Sequence, residues 1–195
     1  MNVQRSLQQY RAVDLALWCA MLLLFESIII IASNRWFPAQ PYTVSLVPAI
    51  TAIVLVRWGP WAAVPAALGG IAGCMLQGAS LSQYVMYCGG NLFPLLLLPA
   101  LSPKREKGKF PEGFPATAAF ALAVLLLIQT GRALLSLVFG GGWQTALACF
   151  TTEAATDLIT LVILWIAGRL DGVLEDQPHY VRRIAAEEKH RTRAD

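Results

Sequence analysis

Phe114–Gly168 reads FPATAAFALAVLLLIQTGRALLSLVFGGGWQTALACFTTEAATDLITLVILWIAG. Two apolar runs, each long enough to cross a hydrocarbon layer about 30 Å thick, flank the glycine turn Gly140-Gly141-Gly142. Each run carries groups that lipid rejects. The first holds Gln129 and Arg132; the second holds Glu153 and Asp157 among Thr151, Thr152 and Thr156. Residues three and four apart share a helical face, so Gln129 and Arg132 point one way, as do Glu153 and Asp157. An ionised side chain at mid-membrane costs roughly 2.5–3.5 kcal/mol even on the lenient insertion scale, so it persists only facing protein, water or another charge. Three readings stay open. The groups form a polar pocket inside a membrane bundle, or an ion-pair cluster that locks helices together, or Arg132 alone reaches the outer headgroups.

The rest of the chain has the same character. Of its 195 residues 56% are hydrophobic and 14% charged, against about 25% charged in soluble domains. Apolar runs of about 20 residues recur, so the lipid bilayer is the solvent and the fold class is an all-α integral membrane protein. The net charge of +3 does not imply a nucleic-acid partner, because the basic residues sit at the ends of runs and form no stripe. Cys19, Cys74, Cys88 and Cys149 lie inside apolar runs without CxxC spacing, and His179 and His190 lie in the polar C-terminal segment. No metal site and no cofactor is expected from them. The first apolar run is too long for a cleavable leader and is expected to remain as a span.

Six spans follow from the pattern, within a transmembrane domain over 1–168. Span one covers about Ala12–Ser33, with Asp14 near its start and Glu26 in its upper half. The loop to span two contains Pro38 and Pro41. Spans two (Tyr42–Val56) and three (Trp61–Leu76) are short, contain Pro48 and Pro65, and are joined by the reversal Arg57-Trp58-Gly59-Pro60. Span four covers Leu81–Leu101 and carries Tyr84, Tyr87, Gly89, Gly90, Asn91 and Pro94; the basic loop Lys104–Lys109 comes next. Residues 169–195 form a charged cytoplasmic tail, partly helical, with a helix start at Asp176-Gln177-Pro178 and a Glu187/Arg191 pair.

The amino arm, the Arg57 turn, the 104–109 loop and the tail are basic, whereas the alternate loops carry only Arg35. The positive-inside rule therefore puts both termini in the cytoplasm. Counting 1.5 Å per residue, Arg132 lies roughly 27 Å above the inner end of span five and Glu26 roughly 21 Å up span one. Glu153 and Asn91 each lie roughly 15 Å below the outer surface, with Asp157 a turn deeper. The polar groups thus converge on the outer half of the bilayer, above an apolar floor. Trp36, Tyr84 and Trp143 are expected to border that cavity. The other aromatics at span ends, Tyr42, Trp58 and Trp61, read as interface anchors.

Ala12, Ala16 and Ala20 form a small-residue stripe on span one, read either as a docking surface for a partner or as ordinary packing inside the bundle. A similar stripe on span three, Ala62/Ala66/Gly70, reads as internal packing. Glu153 and Asp157 suggest paired-carboxylate chemistry, but no nucleophile, metal site or phosphate loop accompanies them, so no enzymatic activity is expected.

With these residues in view, the chain resembles the substrate-binding S components of energy-coupling-factor vitamin transporters. The resemblance rests on the Ala12/Ala16/Ala20 stripe, the Arg57-Trp58-Gly59-Pro60 turn with its glycine- and alanine-rich helix, and the segments Tyr84–Asn91, Gln129–Arg132 and Glu153–Asp157. It implies a six-helix bundle that docks through the alanine stripe on a membrane coupling subunit with two ATPase subunits. It also implies that a small-molecule substrate is held in the outer half by helices four to six and loops one and three. The pocket set is then Glu26, Trp36, Tyr84, Asn91, Gln129, Arg132, Trp143, Glu153 and Asp157. Its carboxylates outnumber its arginine, so a cationic or zwitterionic metabolite is expected. Rod-shape membrane proteins of the MreD type have a similar size, topology and glycine-rich hairpin, which leaves open a scaffold with no small ligand.

Overall fold

The computed structural model describes residues 3–39, 44–106 and 113–194, with side chains over 7–39, 44–102 and 113–186. The expected anchor Tyr42, the lysines of the 104–109 loop and the Glu187/Arg191 pair lie outside that set. The chain is a multi-span all-α membrane bundle, and among the described residues five helical segments are long and apolar enough to cross a bilayer.

Helix α1 (Val3–Trp36) is a single rod of 34 residues, roughly 51 Å long. The next segment, Val47–Gln77, has 31 residues and doubles back on itself. It comprises α2 (Val47–Trp58), a 3-10 turn (Gly59–Ala62) and α3 (Ala63–Gln77). The reversal depends on Gly59, whose φ of 60° and ψ of −115° exclude a side chain without strain. Gly69 of α3 lies against Val47 at the far end of α2, so the two arms are antiparallel, as expected of spans two and three. Every residue of α2 is buried, and Ile53, Val54 and Leu55 centre the apolar core with Leu22, Ile128 and Leu164.

Two expected continuous spans are broken. Span four is α4 (Leu81–Gly90), a 3-10 segment (Phe93–Leu97) and α5 (Leu98–Glu106), interrupted at Asn91-Leu92. Pro94 explains the change of winding there, since a proline fits without cost only in the first turn of a new helical segment. After the unbroken α6 (Phe114–Val138), span six is α7 (Trp143–Thr151) and α8 (Ala154–Ala167), interrupted at Thr152-Glu153. Here Thr152 Oγ1 donates back to the Ala148 carbonyl at 2.8 Å, a bond that competes with the helical ladder and bends it. Helix α9 (Gln177–Ala194) starts at the expected Asp176-Gln177-Pro178.

One end of the bundle, here the proximal end, gathers the start of α1, the α2–α3 turn and the segment after α8. Arg57 donates to Asp14 through Nε (3.0 Å) and Nη2 (2.7 Å), and through Nη1 to the carbonyls of Gly172 (2.7 Å) and Val173 (3.2 Å). Trp58 Nε1 also donates to Asp14, at 2.6 Å. Tyr10 donates its hydroxyl to Gln177 at 3.1 Å, so α1 and α9 begin at the same end. The Ala62/Ala66/Gly70 stripe of α3 is buried, as expected of internal packing. Ala12, Ala16 and Ala20 are exposed on α1, so they are not packed inside the bundle.

Candidate functional site

Both interruptions face Arg132. This side chain is buried and donates through Nε (3.2 Å) and Nη2 (2.7 Å) to Asn91 Oδ1, while Nη1 pairs with Glu153 Oε1. Asn91 is fixed in turn by donating Nδ2 to the Ala66 carbonyl of α3 at 3.1 Å. The guanidinium carbon sits 5.0 Å from the Tyr87 ring centroid, a cation–π distance. The side chains that hydrogen-bond the arginine, Asn91 and Glu153, therefore both sit at helix breaks. Irregular backbone at membrane depth is tolerated where protein or a wet cavity surrounds it.

Glycine makes the close packing possible. A Cβ at Gly90 would meet the Arg132 backbone nitrogen at 2.8 Å, and one at Gly131 would meet the Phe93 ring at 2.6 Å. One turn away, Gln129 Nε2 donates to both oxygens of Asp157, at 2.9 and 3.1 Å. The polar faces read from the sequence of spans five and six thus meet as two rungs, Arg132–Glu153 and Gln129–Asp157.

A cavity of about 300 Å³ extends from the first rung to the distal end of the bundle. Glu26, Asn91, Arg132 and Glu153 lie on its wall, joined by Tyr87, Ser45 and Gln77. Glu26 is 4% exposed and accepts the Leu46 backbone N–H at 2.8 Å, which ties α1 to the start of α2. Glu153 Oε2 is buried with no hydrogen-bond partner.

The remaining expected pocket residues lie elsewhere. Gln129 and Asp157 pair with each other and are not on the wall. Trp36 and Trp143 are 70% and 68% exposed, and Tyr84 is half-buried away from the cavity. Large amphipathic rings at helix ends settle at the membrane–water boundary, which accounts for both tryptophans. The cavity also draws its walls from α1, α3 and the α1–α2 connection (Ile29, Ile30, Gly70, Gly73), and not chiefly from spans four to six. Ser45 and Gln77 were readable only as polar residues at the ends of short apolar helices. Among the described residues, no group of three or more His, Cys, Asp or Glu is placed to hold a metal ion.

No family model, no curated protein and no solved structure matches the chain.

Proposed function

We propose that the chain is a substrate-capture subunit of an uptake transporter, of the kind its resemblance to energy-coupling-factor S components implies. A small polar metabolite enters the distal cavity from outside, and the loaded subunit docks on a membrane coupling subunit with two ATPase subunits. Binding and presentation, not catalysis, are its role. The observation that carries this reading is the cavity itself: about 300 Å³, with the charged side chains Glu26, Arg132 and Glu153 on its wall and one carboxylate oxygen without a partner among the described residues. That volume is at the lower end of ligand pockets, which run about 300–1,000 Å³. Arg11, Arg57, Arg169, Arg182 and Arg183 belong to the proximal end and the segments leading from it, which supports a cytoplasmic proximal side and an outward cavity. The exposed Ala12/Ala16/Ala20 stripe supports close approach of a second membrane helix.

Gly73 supplies the test. It lines the cavity in mid-helix, and a Cβ there meets nothing within 4 Å. Gly73→Leu should fold at least as well as the wild type, since glycine costs a helix about 1 kcal/mol, yet it should fill the cavity. Metabolites that raise the melting temperature of the purified wild type should fail to stabilise this variant. If no metabolite stabilises the wild type, the scaffold reading becomes the better one. The internal Arg132–Glu153 and Gln129–Asp157 pairs are what favour it.

A further inference from the structure

We infer that the cavity takes a small organic monocation, an ammonium group on a short apolar or aromatic body, held by Glu153 and Glu26. The inference rests on the cavity being a ligand site, as proposed above, and adds the chemistry of the molecule that fills it. On the wall are two carboxylates, Glu26 and Glu153, and one guanidinium, Arg132. That guanidinium is already engaged: three of its N–H groups go to Asn91 and Glu153, and it sits over Tyr87.

Glu153 is not equally satisfied. Its side chain is 9% exposed, one oxygen meets Arg132, and the other is buried without a partner. A buried acceptor without a partner bears its full desolvation penalty, which is larger still when it is charged. Glu26 accepts from the Leu46 N–H and from the Ser45 side chain, and among the described residues no basic side chain hydrogen-bonds it. Among the described residues the cavity wall therefore carries one more formal negative charge than positive. In a low-dielectric surround a single cationic donor corrects both the charge and the missing hydrogen bond. An anion would instead meet two carboxylates and an arginine already paired. Ile29, Ile30, Val47 and Cys74 supply apolar wall for the body of the ligand.

Matched pairs of probes test this on the purified full chain in detergent: tyramine against 4-hydroxyphenylacetate, and histamine against imidazole-4-acetate. Thermal shift and saturation-transfer NMR should show both amines binding and neither acid. Glu153→Gln, which keeps the shape, should raise the Kd of the amines at least about tenfold, as expected for loss of a charge-assisted bond. Glu26→Gln should also weaken them and carries the test if the first variant does not fold. Binding of the acids in place of the amines overturns the inference and leaves the capture reading standing. Amine binding that persists in Gly73→Leu overturns it too, because the site is then elsewhere. Binding of no probe and no metabolite overturns both.

Discussion

Arg132 is held from three directions, by Tyr87 of α4, by Asn91 at the end of α4, and by Glu153 at the start of α8. Removing the arginine alone leaves Glu153 as an uncompensated buried charge. Arg132→Met should therefore lower unfolding free energy by about 3–5 kcal/mol, whereas Arg132→Met with Glu153→Met should recover most of it. Denaturant titration in mixed micelles measures both; equal losses in the two variants would place Glu153 in water. The partners of Arg132 were legible in part. Spacing put Arg132 with Gln129 and Glu153 with Asp157, and two antiparallel helices then have few ways to pair them. The Asp14–Arg57 bond was not legible, because its residues are 43 positions apart and no periodicity relates them. Trp36 and Trp143 are exposed and do not line this cavity, and a tryptophan at a helix end fits either a cavity rim or a headgroup anchor.

At the scale of elements, the breaks after Gly90 and before Ala154 do what an unbroken helix cannot: they turn Asn91 and Glu153 toward the same side chain. Composition announced the first break, through Gly89, Gly90 and Pro94. It concealed the second, where neither glycine nor proline marks the site and only back-bonding threonines weaken the ladder. The α4–α6 contact gives a sharp comparison between neighbours. A Cβ at Gly90 strikes the Arg132 backbone, which does not yield, whereas at Gly89 it strikes only the tip of Leu135. Gly90→Ala should cost about 1–3 kcal/mol by overpacking, while Gly89→Ala should be close to neutral. Melting temperatures of the two variants in the same detergent decide it, and equal shifts would mean the helices separate more readily than this packing allows.

For the whole molecule, the multi-span helical fold was readable because membrane insertion imposes lengths and charge placement that leave few alternatives. The α3 wall of the cavity was not, since Gly70, Gly73 and Cys74 carry no polar signal that sets them apart from internal packing. The exposed alanine stripe belongs to this scale as well. Ala16→Leu changes an exposed surface of α1, so under the docking role proposed above it should preserve ligand-induced stabilisation while abolishing uptake in the reconstituted system. Uptake at the wild-type rate would remove the docking role. The proximal plate of Asp14, Arg57 and Trp58, strapped by the carbonyls of Gly172 and Val173, has a last consequence. Beneath the cavity lie the sealed residues of α2 and then this bolted base, so the vessel has a mouth and no drain. In planar bilayers the isolated chain should pass no current.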